Sequence, residues 1–313
     1  MGHIQLSDIR AAAERTREMV RRTPVFTSRT FDAQAGSQAF FKCENFQRGG
    51  AFKLRGAANF ILSIPKDQVG SGVITYSSGN HGQAVAIVAE SLGIPATIVM
   101  PADAPALKME ATRSHGARIV TYDRAREDRE AIGQRIASET GATLVPPYDH
   151  LWTITGQGTC ALELLDEVPD LDALVVPIGG GGLISGSAIA AHAIRAGIRV
   201  FGVEPDQGND TFLSLRAGGR VEIPPPQTIA DGLRASKPGA LTFPIIREQV
   251  ESIFLVTDDE IRATMKFLLM RMKILVEPSG AASAAAVMQR KLPQGVEKVG
   301  VILSGGNVDL DCV

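Results

Sequence analysis

Cysteine is scarce in this chain. Cys43, Cys160 and Cys312 are the three in 313 residues, odd in number and far apart. That spacing argues against a disulfide framework or a zinc site and fits reduced thiols in a cytoplasm. An excess of charge is also missing. Lys and Arg total 32 against 34 Asp and Glu, a formal net charge of −2. No basic field is available for nucleic acid or an anionic membrane. No apolar run is long enough to span a bilayer. The five histidines lack ligand spacing such as H-E-x-x-H, so no catalytic transition metal is expected. The opening stretch MGHIQLSDIRAAAERTREMVRR is charged and helix-like, with no signal-peptide core. It begins Met-Gly, but Leu6 stands where a myristoylation signal needs Ser or Thr.

Hydrophobic residues make up 44 % of the chain, so a sizeable core is affordable and disorder is excluded. Short apolar runs alternate with helical patterns. SGVITYSSGN predicts a strand and turn, and HGQAVAIVAESLG a helix ending at Gly93. IPATIVMP and ARIVTY predict strands around the helix APALKMEATRSHG. DALVVPIGGGG, LISGSAIAAHAIRAG and IRVFGVEP repeat the strand–loop–helix–strand order. This rhythm predicts an α/β fold with a mostly parallel sheet covered by helices on both faces. Ligands in such folds sit where strand ends feed helices.

Four loops carry unusual residues. PIGGGGLISG (177–186) sets four glycines between a strand and a helix. Glycines let backbone N–H groups approach a phosphate, and the helix N-terminus favours an anion. A tight structural turn and a dinucleotide loop remain alternatives. The G-x-G-x-x-G register fails at Ser185, although Glu204 stands near where a ribose-binding acid would be. TYSSGNHGQAV (75–85) crowds two hydroxyls, an amide and an imidazole at a strand-to-helix turn. One of them would suffice as a helix cap; the cluster suits a carboxylate ligand. VGVILSGGNVD (299–309) reads as a buried strand ending at Ser304, which an ordinary turn would also explain. In NFQRGGAFKLRGAANF (45–60), Lys53 follows Phe52 among glycines and apolar residues. Desolvation there would lower the amine pKa and make it a base or nucleophile. A reactive lysine, a phosphate cradle and a carboxylate nest together describe a site for pyridoxal phosphate held as a Schiff base.

The motifs FKCENFQRGGAFKLRGA, SSGNHGQAVA, GQGTCALEL, GGGGLISG, VEP, TIADGL, VEPSGAASAAAV and SGGNVD occur in one order along nearly the whole chain. In this the sequence resembles the threonine/serine dehydratase and serine racemase family, pyridoxal-phosphate enzymes of the tryptophan-synthase-β-like fold type II. The resemblance implies two domains: 1–70 with 150–313 as the large cofactor-binding part, and 71–149 as the small substrate-side part. It implies that Lys53 carries the cofactor and moves protons at Cα, with Phe52 beside the ring. Ser77, Ser78, Gly79, Asn80 and His81 would hold the substrate carboxylate, Asn80 also reaching the cofactor. Gly179, Gly180, Gly181, Gly182 and Leu183 would bind its phosphate, and Ser304 its ring nitrogen. Glu204, the Gly208 carbonyl and Asp210 match the family's divalent-cation site (Mg, Mn or Ca), which moves Glu204 from ribose to metal.

The implied activity is an ammonia-lyase converting L-threonine, L-serine or a related 3-hydroxy amino acid to a 2-keto acid and ammonia by β-elimination. A serine hydroxyl at the ring nitrogen cannot protonate it, which favours prompt departure of a β-leaving group over a long-lived carbanion. The alternative is an amino-acid racemase with Lys53 and Ser78 as opposite-face bases. A remote one is a non-catalytic binder of pyridoxal phosphate or another phosphate ligand. A cytoplasmic homodimer acting on a small amino acid, without nucleic acid or membrane, is the implied setting. Arg48, Gly49 and Ala51 depart from the family's Lys, Thr and Ser, Tyr148 replaces a Phe or Asn, and Leu151 and Trp152 are unusual. These departures suit a bulkier or differently polar substrate. The chain ends at Val313, so no isoleucine feedback domain is expected.

Overall fold

The computed structural model describes residues 4–309 apart from 78, 105, 124 and 125, and leaves aside the side chains of 106–108. Its strands are β1 (Val25–Phe26), β2 (Gln38–Cys43), β3 (Val73–Tyr76), β4 (Ala96–Pro101), β5 (Arg118–Tyr122), β6 (Thr143–Leu144), β7 (Ala173–Pro177), β8 (Arg199–Pro205), β9 (Ser252–Val256) and β10 (Lys298–Leu303). They form two sheets. One has the order β1-β2-β10-β7-β8-β9 and the other β5-β4-β3-β6. Every pairing is parallel except β1 with β2. The strand–helix rhythm of the sequence therefore gives the expected α/β architecture, divided between two sheets. The antiparallel β1–β2 pairing has no signature in the apolar pattern, because two residues are too few to show a period.

Position in the sheet sets each strand's composition. β7 lies between β10 and β8, and all five of its residues, ALVVP, are buried. β5 lies at an edge, and only Tyr122 of its RIVTY is fully buried. Helices cover both faces, so central strands are apolar throughout. Burying a Val, Leu or Ile side chain is worth about 1.5–3 kcal/mol, and β7 and β10 bury Leu174, Val175, Val176, Val299, Val301, Ile302 and Leu303.

The helices are bounded by local chemistry. The Asn80–Leu92 helix ends at Gly93, whose φ of 65° places it in the left-handed region. The Lys53–Ser63 helix packs closely on the Leu151–Glu167 helix. A Cβ on Gly156 would lie 2.6 Å from the Arg55 carbonyl and 2.8 Å from Gly56 Cα. Leu54, Ala57, Ala58 and Ile61 of the Lys53 helix share a hydrophobic cluster with Val73, Ala84 and Ile98, beside the four-stranded sheet. Cys43 and Cys160 are buried and free; Cys312 lies outside the described residues.

Candidate active site

The carboxyl ends of strands from both sheets open on one cavity of about 770 Å³. Its lining includes Lys53, Asn80, His81, Gly180, Glu277 and Ser304. The Gly179–Gly182 loop follows β7, Ser304 follows β10, and Ser77 follows β3. This is the strand-end placement expected of ligand sites in parallel sheets.

Two helix N-termini at this cavity have no side-chain cap. The 13-residue Asn80–Leu92 helix starts after Gly79, and the 13-residue Gly182–Ile194 helix starts after Gly181 at φ 91°. Uncapped N–H groups and the positive helix end make each a place for an anion. The glycine loop is closely packed. Ring atoms of Tyr148 lie 2.2–2.4 Å from where a Cβ on Gly180 would be, and the Gly232 carbonyl oxygen lies 2.7 Å from one on Gly179. Any larger residue would fill the cradle. The Thr242 hydroxyl donates to the Gly180 carbonyl at 2.8 Å and holds the loop in place.

Lys53 opens the third helix of the site. Its ammonium donates to the Pro147 carbonyl at 2.8 Å and lies 5.2 Å from the centre of the Phe52 ring. Burial pulls its pKa down to about 8 from 10.5, and the nearby Glu277 acts in the opposite direction. The chain reaches Lys53 through Gly49 and Gly50, both at positive φ. It is then tied to the end of β10, where Phe52 N–H donates to the Ser304 carbonyl at 3.0 Å.

A polar chain crosses the cavity wall. Asn307 Nδ2 donates to Asn80 Oδ1 at 2.9 Å, and Asn80 Nδ2 donates to Glu277 Oε1 at 2.8 Å. Glu277 and Asn307 received no role in the sequence analysis. The only signal for Glu277 was the quoted VEPSGAASAAAV, in which a Glu before a Pro reads equally well as a helix start. His81 is buried, and its Nε2–H donates to the Val145 carbonyl at 3.0 Å. Burial holds its pKa near 3, so the ring is neutral and Nδ1 is an unprotonated acceptor without a partner. The ring therefore has no proton to give a carboxylate; the first-turn N–H of His81 does. Gln157 also lines the cavity, with Nε2 buried and unpartnered.

Ser77, Gly79, Asn80, His81, Lys53, Phe52, Gly179, Gly180, Gly181, Gly182, Leu183 and Ser304 thus converge on one cavity. Ser78 lies outside the described residues. Glu204, Gly208 and Asp210 are not in the cavity lining. Glu204, fully buried at the end of β8, accepts from the N–H groups of Thr211 and Phe212 at 3.1 and 2.8 Å. Burial and the charge of Asp210 push its pKa up. Burial raises that of Asp210 as well, and neither of its carboxylate oxygens has a hydrogen-bond partner among the described residues.

Residues 16–305 match the family described as pyridoxal-phosphate dependent enzymes. The chain belongs to that family. It is 52 % identical to an L-threo-3-hydroxyaspartate ammonia-lyase of Saccharomyces cerevisiae, over 97 % of this chain and 93 % of that protein. It is 48 % identical to a serine racemase of Schizosaccharomyces pombe, over 97 % and 94 %. Among solved structures, maize serine racemase superposes with a TM-score of 0.95 at 46 % identity, covering 98 % of this chain and 94 % of that one. A pyridoxal-phosphate enzyme of fold type II is thus the fold as well as the family. The site fits the cofactor: a lysine of lowered pKa, a glycine cradle with no room for side chains, and a bare helix N-terminus for a phosphate.

Proposed function

We propose that this chain is a pyridoxal-phosphate-dependent ammonia-lyase that eliminates water from a 3-hydroxy amino acid, the released enamine then taking up water to give a 2-keto acid and ammonia. The observation that carries the reading is Lys53, half-buried with its pKa lowered to about 8, in one cavity with two uncapped helix N-termini. Pyridoxal phosphate, when bound, supplies the electron-withdrawing system that makes an amino-acid Cα proton removable.

The chain's own residues divide the remaining work. The N–H groups of Gly179 to Gly182 and Leu183 would hold the phosphate, the Ser304 hydroxyl the ring nitrogen, and Phe52 the side of the ring. Ser77, Gly79, Asn80 and the His81 N–H would hold the substrate carboxylate, fixing which face of Cα meets the lysine. Lys53 removes the Cα proton, which its lowered pKa allows near neutral pH. The Asn307–Asn80–Glu277 chain keeps the Asn80 amide oriented.

Within L-threonine, L-serine and their relatives, the cavity favours a substrate with a second carboxylate. The Arg129 guanidinium lies over the Tyr76 ring at 5.6 Å, lines the cavity and has no ion-pair partner among the described residues. That arrangement suits 3-hydroxyaspartate, on which the yeast relative is named as acting. Serine racemisation is the second reading, favoured by the 48 % and 46 % identical racemases. It needs Ser78 opposite Lys53.

Glu204, the Gly208 carbonyl and Asp210 would hold Mg, Mn or Ca, supported by two buried carboxylates of raised pKa. Segment 71–149 would act as the small substrate-side domain, supported by the four-stranded sheet lying between Val73 and Leu144. A cytoplasmic setting fits the buried free thiols Cys43 and Cys160, and a homodimer is the assembly the family resemblance implies.

Spectroscopy with a substrate panel tests the reading. The full chain with pyridoxal phosphate should absorb in the visible, and Lys53→Ala should lose or displace that band. L-threo-3-hydroxyaspartate should yield keto acid faster than L-serine or L-threonine. Ser78→Ala should spare elimination from the L-enantiomer and remove any racemisation. A wild type that stays colourless with the cofactor would overturn the proposal.

A further inference from the structure

The largest fully buried side chain among the described residues is a charged one, Arg55, two residues after Lys53. It is fully enclosed by partners. Its Nε and Nη2 donate to both carboxylate oxygens of Glu44 at 2.7 and 2.8 Å. Its Nη1 and Nη2 donate to both oxygens of Glu163 at 2.7 and 2.8 Å, and Nη1 also reaches the Thr159 hydroxyl at 3.1 Å. Lys42, itself fully buried, donates to Glu163 and to the Thr23 carbonyl, each at 2.7 Å. The Thr23 hydroxyl donates to Glu44 at 2.5 Å. Two cations and two anions balance to zero inside the core. Such a lattice is costly to bury and more costly to break, and it rarely out-stabilises an apolar packing of the same volume. Stability alone is therefore a poor account of it.

Its placement offers a better one. Residues two apart on a helix leave on nearly opposite sides. Lys53 points into the cavity, while Arg55 leaves the same first turn from behind. The lattice joins that turn to β2 through Lys42, to the turn after β2 through Glu44, and to the Leu151–Glu167 helix through Thr159 and Glu163. Lys53 meanwhile donates to the Pro147 carbonyl, just ahead of that same helix. On the cavity side the approach to Lys53 runs through Gly49 and Gly50, which offer no side chain to brace it. A bidentate fork on each side fixes rotation as well as distance, as a single lysine contact would not.

We propose that Arg55 is a positioning residue for Lys53: its four-charge lattice sets the rotation and burial of the helix's first turn, and so keeps the lysine amine desolvated against Pro147. The inference rests on Lys53 being the reactive lysine, yet it can be tested without the reaction. The full chain, freed of cofactor so that the amine is not held as an imine, is labelled with acetic anhydride across pH, and acetylation of Lys53 is followed by mass spectrometry.

The wild type should show a midpoint near pH 8. Arg55→Met should move it up by about one unit or more as water reaches the amine. It should also lower kcat about a hundredfold with KM changed only a few-fold, because misplacement of a reacting group costs rate more than binding. Arg55→Lys should recover part of both. A folded Arg55→Met chain of lowered thermal stability but unchanged Lys53 midpoint would overturn the proposal and leave a purely structural lattice. Should Arg55→Met not fold, Glu163→Gln keeps the Glu44 fork and gives the same decision: an unmoved midpoint refutes the positioning role. A failed lyase assay with the expected midpoint shift would instead refute the proposed reaction and leave the positioning role intact.

Discussion

Lys53 shows at the scale of one residue how function and stability oppose each other. Its amine has been moved from 10.5 to about 8, chiefly by burial. The native state therefore holds that proton less tightly than the unfolded chain does. Below about pH 8 both states are protonated, and the charge costs the fold stability. Between pH 8 and 10.5 the native state is already neutral, and the cost fades as the unfolded chain also loses its proton. Lys53→Met should consequently raise the stability of the cofactor-free chain at pH 7 by about 1–3 kcal/mol, since one pKa unit corresponds to about 1.4 kcal/mol and solvent at the cavity discounts the full shift. The gain should shrink as the pH is raised through 8 towards 10.5. Urea midpoints of both proteins across pH read this directly, and a Met variant no more stable at pH 7 would show that the lysine pays no burial cost. The lysine was legible in the sequence because an aromatic and glycines surround it. Glu277, Asn307 and the Pro147 carbonyl were not, since each reaches the site from a different strand or loop and has no local signature.

Single glycines decide geometry at the scale of the element. Strands β3, β4, β5, β7 and β8 were legible as apolar runs with turn residues behind them, and the Asn80–Leu92 helix as a periodic run closed by Gly93. Packing between helices was not, because nothing in GQGTCALEL states which surface Gly156 meets. It meets the Lys53 helix backbone to backbone, with 2.6 Å between a would-be Cβ and the Arg55 carbonyl. Gly156→Ala should therefore force the two helices apart. Overpacking of this kind costs about 1–3 kcal/mol, and here the displaced partner is backbone, which has little freedom to yield. Gly70→Ala is the internal control. Gly70 has helical φ of −63° and nothing within 4 Å of a Cβ, so alanine should be neutral or stabilising by a few tenths of a kcal/mol. Calorimetry of the two variants should separate them clearly. Equal melting points would mean that the helix pair adjusts freely and does not hold the Lys53 helix in place.

At the scale of the whole molecule, two buried carboxylates stand apart from the cavity. The family resemblance pointed to Glu204 and Asp210, whereas spacing alone left Glu204 only as a candidate ribose-binding acid in a dinucleotide reading whose glycine register fails. What spacing could not reveal is burial: two carboxylates enclosed at the end of β8, each with raised pKa, and Asp210 with both oxygens unpartnered. Two such groups repel each other unless a cation lies between them or a proton neutralises one. The charge of Asp210 also reaches Tyr148, whose ring covers Gly180 in the proposed phosphate cradle. A cation bound there would thus stabilise the molecule and relax the electrostatics beside the cofactor. Dialysis against a chelator should lower the melting temperature, and Mg, Mn or Ca should restore it. Binding only the native state at a hundred times Kd contributes about 2.7 kcal/mol, worth several degrees in a chain of this size. Asp210→Asn should abolish the response while keeping the helix that begins at Asp210, because the N–H groups of Thr211 and Phe212 are capped by Glu204. A melting temperature indifferent to chelator and to all three cations would leave Glu204 as a helix cap and Asp210 as a buried acid that takes up a proton in place of a metal.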